Sequence, residues 1–91
     1  LEKELMIARD VKKIIESAIL NSTAYILDPM NDGQHLQAFV VSSTFDGMML
    51  IKQHQLVMKS LKEAMASAVH ALALKTFTPD KWEQARTQYG L

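Results

Sequence analysis

Apolar residues first recur at helical spacing over residues 8–20 (ARDVKKIIESAIL). Val11, Ile14, Ile15, Ala18 and Ile19 fall at i, i+3, i+4, i+7 and i+8, one face of a helix, with Lys12, Lys13 and Glu16 on the other and Asn21-Ser22 as its stop. The pattern then changes. TAYIL (23–27) is β-branched and aromatic, and HLQAFVVS (35–42) partly alternates, so these predict two strands joined as a hairpin. Between them DPMNDGQ reads as a turn, punctuated by Pro29 and by Asp32-Gly33.

Thr44-Phe45-Asp46-Gly47 breaks the strand pattern, and helical periodicity returns over residues 48–68. Leu50, His54, Val57, Met58, Leu61, Ala64, Met65 and Ala68 form its apolar stripe, in a segment long enough to divide into two helices. ALALKT (71–76) is a short third strand. Thr78-Pro79 predicts a helix start, with Thr78 capping free amides and Pro79 at the first helical position; Trp82 and Ala85 then face inward and Gly90 ends the helix. The predicted order is α-β-β-α-β-α. A hairpin followed by a β-α-β crossover gives a three-stranded mixed sheet packed by helices, a small α/β (α+β) domain whose second and third strands run parallel. His35 opens the second strand and His70 immediately precedes the third, so both fall at one end of the sheet.

Composition narrows what such a domain can be. At 91 residues and 48% hydrophobic content the chain supports one small core, with residues 1–7 read as an N-terminal tail or remnant and 8–91 as the domain. No apolar run approaches the ~20 residues of a membrane span, and the charged start does not resemble a signal peptide. The absence of cysteine excludes a disulfide framework, a Cys-type zinc finger, a thiol nucleophile and a self-contained Cys₄ iron–sulfur site. It also fits a reducing compartment, and a cytoplasmic location is the expectation. Ten basic residues balance ten acidic ones, against a domain built chiefly to grip nucleic acid.

Candidate chemistry is sparse. No nucleophile sits beside a base and no phosphate-binding glycine loop is present, so an enzyme is not expected. His70 and His35 sit at element boundaries, where an imidazole stays accessible, although a lone histidine is more often structural. His54 lies on the apolar stripe and reads as a half-buried core histidine. Two histidines do not complete a metal site, which needs four ligands or three plus water. Either the pair is structural or another molecule supplies the rest. The topology is similar to KH-type RNA modules but lacks their GXXG clamp, and Lys52 and Lys59, seven apart on one helix face, make only a weak basic patch.

Four stretches in order carry a more specific resemblance: DGQHLQAFVVS (32–42), FDGMMLIKQHQLVM (45–58), HALALKT (70–76) and TPDKW (78–82). Together they resemble the BolA family, most of all its YrbA/IbaG-like branch. The resemblance implies a class II KH-like fold without GXXG, and a non-enzymatic adaptor role in iron–sulfur cluster trafficking or iron sensing. It implies a monothiol glutaredoxin as partner, with a homodimer also open, and a two-iron two-sulfur cluster shared with that partner. The family's C-terminal histidine falls on His70 and its variable-loop ligand on His35. Glutaredoxin would add its cysteine and bound glutathione a second thiolate, completing four ligands. The family's other expected role is a nucleic-acid-binding transcriptional regulator, for which Lys52, His54 and Lys59 are the candidates. Departures bear on that role. Gln53-His54-Gln55 stands where many members carry Arg-His-Arg, which disfavours DNA or RNA; Met58 replaces a frequent Tyr, and Lys81 a frequent acid.

Overall fold

A computed structural model describes residues 2–62 and 71–91, and for residues 2–6 the backbone alone. The elements are α1 (Glu2–Ala18), β1 (Ser22–Leu27), β2 (His35–Ser42), α2 (Leu50–Ser60), β3 (Ala71–Phe77) and α3 (Pro79–Ala85), with short 3₁₀ turns at Ser43–Phe45 and Arg86–Tyr89. The sheet order is β1-β2-β3. β1 and β2 pair antiparallel, Tyr25 opposite Phe39; β2 and β3 pair parallel, His35 opposite Ala71. The mixed three-stranded sheet and the α-β-β-α-β-α order are therefore those predicted. The end of the periodic segment, with Ala64, Met65 and Ala68, and His70 beyond it lie outside the described residues.

Each face of the sheet carries its own apolar cluster. On one, Val11 and Ile15 of α1, Ile19 just after it and Val57 of α2 pack with Leu61 on Ala24, Leu36 and Val40. These side chains are 2% exposed or less, and burying each large one contributes about 1.5–3 kcal/mol. On the other face, Phe39, Val41 and Trp82 pack with Tyr25, Leu27, Phe77 and Tyr89. Trp82 stacks on Tyr25 with ring centroids 5.0 Å apart. The pattern of β2 follows from this. His35 and Gln37 are exposed while Leu36 and Ala38 are buried, giving clean alternation; from Ala38 to Ser42 burial is continuous, because the aromatic cluster covers the second face there.

Several expectations are corrected. α1 runs from Glu2 to Ala18, so residues 2–7 are helical and continuous with the helix read from residue 8, and the helix stops two residues earlier than read. Its buried stripe is narrower than predicted: Val11, Ile15 and Ile19 are inside, whereas Ile14 and Ala18 are exposed. Lys12 and Glu16 do not face solvent only. Lys12 Nζ donates to Ala24 O at 2.6 Å, Ala24 N–H donates to Glu16 Oε2 at 2.9 Å, and the two side chains pair at 2.8 Å. Both backbone groups that Ala24 turns away from β2 are thus taken, and the outer edge of β1 is closed at its middle.

The stripe of α2 is also rotated from its predicted position. Leu50 is 60% exposed and Met58 lies at the surface; the buried positions are Gln53 and Val57, continued by Leu61. Gln53 is polar yet fully used. Its Nε2 donates to Met48 O at 2.9 Å and its Oε1 accepts from Thr76 Oγ1 at 2.7 Å, tying the turn before α2 to β3. Thr78 holds the N-cap position of α3 with Pro79 following, but its side chain makes no cap hydrogen bond. Gly90 ends the last turn as expected, at φ 74 in the left-handed region.

Candidate functional site

The turn between β1 and β2 is built from two aspartates. Asp28 Oδ1 accepts from Asp32 N–H at 3.2 Å and its Oδ2 accepts from Gly33 N–H at 2.8 Å. Those bonds curl residues 28–33 through left-handed backbone at Asn31 (φ 56) and Gly33 (φ 68), conformations that Asn and Gly tolerate best. The curl brings Asp32 back over the start of β2. Its Oδ1 accepts from Gln34 N–H at 2.9 Å and from His35 N–H at 3.1 Å. Its Oδ2 lies 2.8 Å from His35 Nδ1.

The backbone amide of Gln34, then the His35 side chain, hold the Asp32 carboxyl down from an ordinary 3.8 to about 2. The carboxylate is therefore ionised and can only accept, so Nδ1 carries the proton. His35 is exposed, and Nε2 is the nitrogen with which it can bind a metal. His35 opens β2 opposite Ala71, the residue to which His70 is bonded, so the described pairing brings the start of β3 to His35. Ala71 N–H donates to Gln34 O at 2.9 Å. His70 itself lies outside the described residues.

The open half of the sheet adjoins His35. Gln37, Ala71, Ala73 and Lys75 are exposed and share its face, and with Gln37, Ala73 and Lys75 this surface runs up to Phe39 and Tyr89 of the aromatic cluster. Among the described residues no group of three or more His, Cys, Asp or Glu could hold a metal ion. An imidazole held by a carboxylate is a sound iron or zinc ligand, but it fits a metal group only as one part of a set completed from elsewhere.

The remaining candidates are apart from this turn. His54 is half-buried, as expected, beside Leu50, Leu74 and Tyr89. Lys52 and Lys59 are exposed on α2, whose eleven residues contain no acid. Asp32 and Asp28 are functional candidates that the sequence reading took only for turn formers. The Asp-x-x-His spacing was the available signal for Asp32, since it lets one carboxylate reach both the amide and the ring of the histidine. Among the described residues no helix is long and apolar enough to cross a membrane.

A family model described as BolA-like protein matches residues 8–81. The Escherichia coli K12 protein named acid stress protein IbaG is 33% identical over 78 residues, covering 84% of this chain and 93% of that protein. The Vibrio cholerae protein named DNA-binding transcriptional regulator BolA is 36% identical over 56 residues, covering 62% of this chain and 53% of that protein. A solved structure of a bolA protein homologue from Coxiella burnetii matches with a TM-score of 0.71 and 38% identity, covering 82% of this chain and 94% of that one. The match spans about two fifths of the length of the mouse and bovine relatives, each named BolA-like protein 1.

Proposed function

Because this chain belongs to the BolA family, we propose that it is a non-enzymatic adaptor that pairs with a monothiol glutaredoxin and shares a two-iron two-sulfur cluster with it, in cluster trafficking or iron sensing. The observation that carries the reading is the exposed His35 imidazole, held through Nδ1 by Asp32 at the sheet end where β3 begins. His35 and His70 would hold the cluster from this side. The glutaredoxin cysteine and bound glutathione would supply the two thiolates that a cysteine-free chain lacks. Imidazole in place of thiolate raises the reduction potential of such a cluster, as in Rieske centres. The open face beside His35, small at Ala71 and Ala73, leaves a partner's backbone room to approach.

The test is direct. Mixing the chain with a cluster-loaded monothiol glutaredoxin should give a heterocomplex on a sizing column and change the visible absorption and circular dichroism. His70→Ala should abolish the spectral change and His35→Ala should weaken it. An unchanged spectrum with no heterocomplex overturns the reading.

A second reading, a nucleic-acid-binding regulator, is favoured by the acid-free α2 with exposed Lys52 and Lys59 and His54 between them, and by the name of the Vibrio relative. The zero net charge counts against it. Titration against duplex DNA decides, since phosphate contacts are strongest at low salt; no affinity there rejects this reading.

A further inference from the structure

We propose that Asp32 is the positioning residue of His35: its carboxylate holds the ring in the Nδ1–H tautomer, which leaves the lone pair, and so the metal-binding role, to Nε2. This rests on the reading of His35 as a ligand. Three features of the geometry carry it. First, the two oxygens of Asp32 divide their work. Oδ1 is bound to the backbone amides of Gln34 and His35, and Oδ2 to the His35 ring, so the carboxylate is locked to the main chain of the residue whose side chain it orients. A simple surface ion pair has no such anchor and is free to swing. Second, Asp32 is itself held. Asp28 takes the amides of Asp32 and Gly33, so the carboxylate is fixed at both ends of its own residue. Third, a neutral imidazole in water favours the proton on Nε2, which blocks that nitrogen as a ligand. An ionised carboxylate on Nδ1 reverses the preference and makes the ring a stronger donor, and removing such a partner typically weakens metal binding about 10–100-fold.

Asp32→Asn separates this role from a structural one. Asparagine keeps the shape but has one acceptor oxygen. It must either meet the two amides with that oxygen and offer its NH₂ to Nδ1, which drives the ring to the Nε2–H form, or turn around and set its NH₂ against the two amides. The experiment is a long-range ¹H–¹⁵N correlation spectrum of histidine-labelled isolated chain at about pH 8.5, well above the ordinary imidazole range. The expected result is a His35 ring protonated on Nδ1 in the wild type and shifted toward Nε2–H in Asp32→Asn. A wild-type ring that is mainly Nε2–H overturns the proposal, and this measurement needs no variant to fold. The second arm adds cluster-loaded glutaredoxin. Asp32→Asn should still form the heterocomplex but weaken the spectral change as far as His35→Ala does; a wild-type response overturns the proposal. A wild-type chain that leaves the glutaredoxin spectrum unchanged overturns the adaptor reading, and with it the ligand role of His35, while the tautomer result stands on its own.

Discussion

Single side chains carry obligations here that residue type alone does not announce. Gln53 is buried in α2 and serves Met48 O and the Thr76 hydroxyl together. Gln53→Ala leaves the buried Thr76 hydroxyl and the partly buried Met48 O without this partner and should cost about 1–3 kcal/mol, read as a lower urea midpoint. Asp32 has its folded-state pKa depressed, so its contribution to stability is fully present above 3.8 and is lost as the pH falls through about 2. In acid titrations followed by circular dichroism, Asp32→Asn should remove that part of the slope and leave the rest of the curve in place. Neither role follows from hydropathy. Gln53 occupies a position the apolar stripe passed over, because a polar side chain can be buried when all its bonds are met, and that depends on Thr76, far away in sequence. The Asp32–His35 contact is local, only three residues apart, and was legible in principle from spacing.

Among elements, the ones whose burial is simple matched their sequence best. β2 runs from His35 to Ser42 as predicted, since exposed and buried positions alternate where one face is open and turn apolar throughout where both are covered. The parallel pairing of β3 followed from element order alone. α1 was misread on its width: Lys12 and Glu16 border the buried stripe and reach β1, which period counting assigns to water. Burial by itself would raise the Glu16 pKa, but the Lys12 hydrogen bond, the Ala24 amide and the Lys12 charge together hold it lower. Glu16→Ala should therefore expose the Ala24 amide at the strand edge. Amide hydrogen exchange should speed up at Ala24 well beyond its neighbours on β1, with a global loss of about 1 kcal/mol or less. Glu16→Gln, which keeps an acceptor, should retain most of the protection.

The whole molecule is a sheet with a separate apolar cluster on each side, and this sets how changes combine. Ile15→Val thins the α1 side and should cost about 0.5–1.5 kcal/mol. Phe39→Leu thins the aromatic side, with a loss within the usual ~0.5–3 kcal/mol. The two side chains lie on opposite faces and share no cluster, so the double variant should lose the sum to within about 0.5 kcal/mol. A larger coupling in urea unfolding would mean that the sheet transmits strain between its faces. Trp82, the single tryptophan, reports the aromatic side by fluorescence, and its transition should coincide with that of backbone dichroism, since both clusters hang on the same three strands.

The turn that carries His35 also bears on how the protein ages. An aspartate followed by glycine is the peptide step most prone to cyclise to a succinimide: the glycine nitrogen attacks the aspartate side-chain carbon, and reopening leaves isoaspartate. At Asp32-Gly33 the hydrogen on that nitrogen is held by Asp28 Oδ2 at 2.8 Å, and the carboxyl under attack is kept ionised, its least electrophilic form. The folded turn thus shields its own weakest bond, and prolonged warm storage should leave Asp32 unchanged in the wild type. Asp28→Ala, with the Gly33 nitrogen released, should accumulate isoaspartate at that step, detectable by peptide mapping as a change in retention with no change in mass.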